Sequence, residues 1–79
     1  MKIKYIQVVT TLSNREDADQ LACHLVKQRL AGCVQVCGPI NSFYQWQGKL
    51  ENDQEYQLQI KSRLDLYEVL ELEIKKNHP

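Results

Sequence analysis

Residues 33–47, CVQVCGPINSFYQWQ, and residues 48–62, GKLENDQEYQLQIKS, read as two extended runs that meet at a glycine. The second run alternates. Tyr56, Leu58 and Ile60 fall on one face, and Glu55, Gln57, Gln59 and Lys61 on the other, which is the period of a strand with one buried side. In the first run, which starts a strand at Cys33, Gly38 and Pro39 cannot sit in a regular ladder, so they predict a bulge or a bend. Gly48-Lys49 serves as a two-residue hairpin loop. Ser42, Tyr44, Trp46 and Gly48 repeat with a period of two, so both large aromatics share one face near the tip of a long arm. Large rings left in water form a patch that a neutral soluble domain rarely tolerates. Phe43, Tyr44, Trp46 and Gly48 are therefore expected at a contact with another chain, since aromatics combine large area with a polar handle.

Upstream of the arm, Ile3 to Thr11 is rich in β-branched residues and reads as a strand. Its apolar residues occupy both faces, which predicts a central or two-sided position. SNRE (13–16) then offers a capping box, Ser13 with Glu16, and Asp17 and Asp19 favour the positive end of a helix. Ala18, Leu21, Ala22, Leu25, Val26 and Leu30 give that helix one apolar face, and Gly32 is placed to stop it. Downstream, Ser62 and Asp65 start a second helix with Leu66, Tyr67, Val69, Leu70 and Ile74 as its stripe, ending near KKNHP. The order is β-α-β-β-α. It predicts a single α+β domain over 1–79, a ferredoxin-like split β-α-β sandwich that lacks its final strand. The sheet is antiparallel, with helices on one face and one edge left open.

Seventy-nine residues bury only roughly 60% of the unfolded surface, so self-association is a natural source of further stability. Ten basic and ten acidic residues cancel, which removes any bulk attraction to nucleic acid or anionic membrane. No apolar run approaches a membrane span, and the first residues do not read as a signal peptide. The three cysteines, Cys23, Cys33 and Cys37, leave one thiol over in any monomeric pairing, which points to free thiols in a reducing cytoplasm.

Four blocks in register carry a family likeness: RLAGCV (29–34), Ser42-x-Tyr44-x-Trp46-x-Gly48-Lys49, Glu55-x-x-Leu58-x-Ile60-Lys61-Ser62, and His78-Pro79. Together they resemble the CutA divalent-cation-tolerance family along essentially the whole chain. The resemblance implies a homotrimer in which the arm continues the sheet into a neighbouring subunit. It also implies a non-enzymatic link to tolerance of copper or other divalent cations, with Cu2+ or another divalent cation as a candidate ligand. It further implies a fourth strand and a C-terminal helix following Pro79. Metal-binding members offer a Cys late in the first strand and two His before the Pro; here Val9 and Asn77-His78 stand at those positions.

From the residues themselves, His78 is either a metal ligand or a helix-end residue stabilised by the macrodipole. The lack of a second ligand at helical spacing favours the latter. Cys33 is the other candidate metal ligand. Cys33 and Cys37 share a face, but four residues of strand hold them about 13 Å apart, too far to chelate one ion unaided. Cys23 and His24 diverge by about 100° around the helix, against shared coordination. No nucleophile elbow and no phosphate-cradling glycine loop is present. The Arg-bearing loop of an acylphosphatase is replaced by Thr10-Thr11-Leu12-Ser13, and strand three lacks the aromatics of an RNA-binding sheet. Arg29, Lys61 and Arg63 are either solvated charges or the receivers of a small anion in an inter-subunit cleft. The family's shape also resembles that of trimeric nitrogen-regulatory signal proteins, and this likeness implies the alternative function, a trimer that senses a small ligand.

Overall fold

A computed structural model describes residues 2–79, with β1 (Tyr5–Leu12), α1 (Arg15–Lys27), β2 (Cys33–Trp46), β3 (Lys49–Arg63), a 3-10 turn (Leu64–Leu66) and α2 (Tyr67–Asn77). The sheet order is β1-β3-β2, with both pairings antiparallel. β1 and β2 therefore run parallel with β3 inserted between them, which is the split arrangement expected. Among the described residues β1 lies at one end of the three-stranded sheet. Ile6, Val8, Thr10 and Leu12 face the helices, whereas Tyr5 and Val9 lie on the side that no helix covers, exposed at 76% and 50%. Apolar residues on both faces reflected that uncovered side, not burial on both.

The core lies between the sheet and the helices. Leu58 and Ile60 of β3, Leu12 of β1, Ala18, Leu21 and Leu25 of α1, and Leu70 of α2 meet there. Ser62, which the sequence placed at a helix start, is still in β3, buried, with its hydroxyl donating to the Leu30 carbonyl at 2.6 Å. α2 begins only after the 3-10 turn. Its inward stripe is narrower than the spacing predicts, with Leu70 buried while Tyr67 and Val69 face water.

Both ends of α1 differ from expectation in their caps. Asn14, not Ser13, is the N-cap: its side-chain oxygen accepts from the N–H groups of Glu16 (2.8 Å) and Asp17 (3.2 Å). At the other end Arg29, not Gly32, turns the chain. Arg29 takes a left-handed φ of 59°, its N–H donates to the Val26 carbonyl, and the Leu30 N–H donates to that of Leu25. These two bonds form a Schellman motif, with Leu30 folding back toward the core. Gly32 lies beyond it, its N–H bonded to the Lys61 carbonyl at 2.9 Å.

The Leu64 N–H donates to Lys4 at the start of β1, so the even residues of β1 turn their backbone groups toward β3. Those of Gln7, Val9 and Thr11 then point to the outer edge. There the Nε2 of His78 takes the Thr11 carbonyl at 2.8 Å and pins the end of α2 to β1.

Candidate functional site

Beyond Cys37 the β2–β3 hairpin leaves the body and forms the arm, which gives the molecule its 49 Å long axis. Its end is a two-residue turn, Gln47-Gly48, with φ of 53° and 78°, closed by the Trp46–Lys49 pair. The loop thus sits one residue earlier than the Gly48-Lys49 expected. Gln47 supports a positive φ even without being glycine, so the twist of the long strands dominates there.

The bulge predicted at Gly38-Pro39 is present and sets the facing of everything beyond it. Cys37 pairs with Gln57, but the next pair is Ile40 with Glu55, so β2 holds one residue more than β3 across this step. Before the bulge, Cys33, Gln35 and Cys37 share the helix-free face with Gln57, Gln59 and Lys61. After it, parity reverses, and Ser42, Tyr44 and Trp46 join Asp53, Glu51 and Lys49 on that face. Gly38 permits the approach: at its φ of 148°, an added Cβ would lie 2.8 Å from the Tyr56 ring and 3.0 Å from the Glu55 carbonyl oxygen.

The arm is apolar on both sides. Tyr44 and Trp46, exposed at 41% and 62%, occupy one face, and Phe43 and Leu50, at 64% and 74%, the other. The Tyr44 hydroxyl donates diagonally to the Asp53 carboxylate, and this bond holds the phenol above its ordinary range. At the base of the arm the Ser42 and Thr11 hydroxyls hold the Glu55 carboxyl below its usual range. The face therefore carries Glu51, Asp53 and Glu55 beside its rings.

At the opposite end of the sheet a groove of about 870 Å³ opens, lined among others by Ile6, Val26, Leu30, Leu66, Arg29, Cys33, Lys61 and Arg63. The three cations that the sequence suggested for an anion thus line one groove. Arg63 is held by Asp65 at 2.6 Å, while Arg29 and Lys61 have no carboxylate partner among the described residues.

The candidate metal residues do not converge. His78 is exposed, with Nε2 donating to Thr11 and Nδ1 lying 3.0 Å from the Pro79 carbonyl oxygen. Cys33 is exposed opposite Lys61, whereas Thr11 lies opposite Gln57, four residues away along β3. Among the described residues no group of three or more His, Cys, Asp or Glu is placed to hold a metal ion. A divalent cation needs several donors at bond distance, so these residues do not fit a site within one chain. All three cysteines are free thiols.

One polar cluster has no sequence forecast. His24 Nε2 and Glu73 Oε1 meet at 2.6 Å between α1 and α2, and the Asn77 amide donates to the same carboxylate oxygen at 3.2 Å. The hydrogen bond from His24 is the main cause holding the Glu73 carboxyl below its usual range. The only advance signal is position: both residues border the apolar stripe of their helix.

No helix of the described residues is long and apolar enough to cross a membrane. The CutA1 family, described as CutA1 divalent ion tolerance protein, matches residues 6–79. A chloroplastic CutA of Arabidopsis thaliana is 41% identical over 73 residues, which is 92% of this chain and 40% of that protein. The divalent-cation tolerance protein CutA of Yersinia pestis is 38% identical over 74 residues, 94% of this chain and 62% of its own length. The chain thus spans less than two thirds of these relatives. In solved structures, CutA1 from Oryza sativa superposes with a TM-score of 0.91 at 37% identity, over 96% of this chain and 70% of that one. A protein titled periplasmic divalent cation tolerance protein CutA, from Archaeoglobus fulgidus, gives 0.85 at 31%, over 94% and 72%. With a split β-α-β sheet, a bulged aromatic arm and a family match over nearly its whole length, the chain belongs to the CutA1 divalent ion tolerance family.

Proposed function

We propose that this chain is a non-enzymatic, self-assembling protein of divalent-cation tolerance that works as a homotrimer. The observation that carries the reading is the arm, which holds Phe43, Tyr44, Trp46 and Leu50 out in water on two faces. Burying those side chains against further copies removes an apolar patch from water. The three free thiols suit a reducing compartment, and the cytoplasm is the proposed location. A copper or other divalent ion bound directly would draw its ligands from more than one copy, with the Cys33 thiol and the His78 imidazole as the donors to examine first. Light scattering tests the assembly, and a stable monomer at micromolar concentration would remove it. Calorimetry with Cu(II) and Zn(II), on wild type beside His78→Ala and Cys33→Ser, tests direct binding; heats unchanged by both substitutions would exclude these donors.

A second reading, a trimer that senses a small anionic ligand in an inter-subunit cleft, draws on Arg29 and Lys61 lining one groove without carboxylate partners. A thermal-shift panel of nucleotides and small carboxylates tests it, and flat shifts would count against it.

A further inference from the structure

Of the ten acidic residues in the chain, none lines the groove at the end of the sheet, whereas Arg29, Lys61 and Arg63 all do. Arg63 is held by Asp65 at 2.6 Å, so its charge is answered from outside the groove. Arg29 and Lys61 have no carboxylate partner among the described residues. Much of the remaining wall is aliphatic: Ile6 of β1, Val26 and Leu30 of α1 and the turn after it, and Leu66 of the 3-10 turn. Val26 is 43% exposed, a branched apolar side chain left in water. The two kinds of surface are separated. Ser62 pairs with Ile6 and is turned toward the helices, so Lys61 and Arg63, one position to either side, leave β3 on the helix-free face. The groove thus wraps the end of the sheet, aliphatic on the helix side and cationic on the other lip.

We propose that this groove binds an amphiphilic carboxylate, an alkyl chain with one anionic head. The chain lies against Ile6, Val26, Leu30 and Leu66. The head is received by the Arg29 guanidinium, whose fork matches a carboxylate, with the Lys61 ammonium as the second cation. A volume of about 870 Å³ and a mostly apolar wall with few polar groups suit a small molecule. The groove opens at the C-terminal end of α1, the negative end of that helix, which disfavours a highly charged ligand such as a polyphosphate. Its described helix-side walls hold no ring for a planar ligand to stack on, which favours an alkyl body. Arg29 rises from the Schellman turn, whose backbone bonds hold it in place before any ligand arrives. The inference rests on the small-anion reading above, and adds the class of ligand and a place for it within one chain.

Calorimetry of the full chain with straight-chain carboxylates from butanoate to dodecanoate, each below its micelle concentration, tests the assignment. Affinity is expected to rise about fourfold with each added methylene until the walls are filled. Arg29→Gln with Lys61→Gln should weaken decanoate binding at least about tenfold, the loss of a charged hydrogen bond. Val26→Glu, which sets a carboxylate among the walls, should weaken it as well. Glutamine already stands at a φ of 53° at Gln47, so the Arg29 substitution keeps the turn, and circular dichroism checks the fold of each variant. Cys33 lines the groove and gives a local readout: bound decanoate should slow its alkylation by iodoacetamide severalfold, with the exposed Cys23 unchanged. Equal affinity for butanoate, decanoate and phosphate, lost in the Arg29 and Lys61 variant, would overturn the amphiphile and leave the small-anion reading standing. Binding that ignores every substitution, or that starts only at the micelle concentration, would overturn the groove as its site. No heat and no protection of Cys33 with any anion would overturn both readings.

Discussion

His24 and Glu73 come within 2.6 Å of each other across the gap between α1 and α2, with their side chains 34% and 23% exposed. The bond ties the helix that follows β1 to the helix that ends against β1. Asn77, bonded to the same carboxylate, carries the connection to His78 and so to the Thr11 carbonyl.

Glu73→Gln should therefore lower the melting temperature at neutral pH, and the difference should fade in acid. The Glu73 carboxyl is depressed when folded, chiefly by its hydrogen bond with His24. Its contribution is complete above the unfolded carboxyl value of about 4.3, and is lost as pH falls from there through the lower folded value. Melting curves of wild type and variant between pH 7 and pH 2 check this. A gap that stays constant across that span would show that the carboxylate is not the cause.

Leu58 is fully buried in the central strand, packed beneath both helices. Leu58→Ala should destabilise the fold by about 2–5 kcal/mol, the range for a large-to-small change in a core. Urea denaturation with an unchanged m-value is the measurement. A loss below about 1 kcal/mol would mean the core collapses around the gap far better than usual.

Deleting Pro39 removes the extra residue from β2 without touching a ring. Gly38 then pairs with Tyr56 while Cys37–Gln57 and Ile40–Glu55 are both kept, so the ladder runs on without a bulge. Tyr44 and Trp46 stay opposite Glu51 and Lys49, and what is lost is the local bend and extra twist that aim the arm. The expected outcome is a domain that stays folded by circular dichroism and whose re-aimed arm assembles more weakly by light scattering. Gly38→Ala should act on the same step by collision with Tyr56 and the Glu55 carbonyl, at about 1–3 kcal/mol of stability.

The Tyr44 phenol should titrate above its ordinary value of 10.0, because its proton is held by the Asp53 carboxylate. Asp53→Asn removes that charge and should bring the Tyr44 titration back down, leaving the other tyrosines in place. NMR with ring-labelled tyrosine resolves the four individually. Identical curves for Tyr44 in both proteins would remove Asp53 as the cause.

Periodicity was a sound guide wherever one face alone is buried. The alternation of Tyr56, Leu58 and Ile60, the 3.6-residue stripe of α1 and the bulge at Gly38-Pro39 were all legible, and with them the β-α-β-β-α order. The misplaced details have a common origin in competition among near neighbours. Ser13 and Asn14 are both good caps, and it is Asn14 whose side chain accepts from the Glu16 and Asp17 N–H groups. Gly32 is the better residue for a left-handed turn, yet Arg29 occupies it because the Schellman bonds fall at that distance from Leu25 and Val26. Val9 and Tyr5 made β1 look central because a strand's pattern records which faces are apolar, and not what covers them. In the site, the aromatic repeat at Tyr44 and Trp46 could be read, but not its reversal of side, which depends on a count of residues in both strands. The His24–Glu73 bond was invisible, since it joins positions 49 apart on different helices.

The Gln47-Gly48 turn also has a kinetic consequence. It lets β2 and β3 zip from adjacent residues outward, a closure of microseconds for a hairpin. β1 has no such local partner: Tyr5 must find Arg63, and the entropy of closing that long loop is lost before any pairing repays it. During synthesis β1 leaves the ribosome before β3, the strand it pairs with in the sheet, and waits for it. Of the three described strands the earliest made is thus the last to be joined, and for that interval its Val8, Val9 and Ile6 are the segment a chaperone or an off-pathway contact would meet.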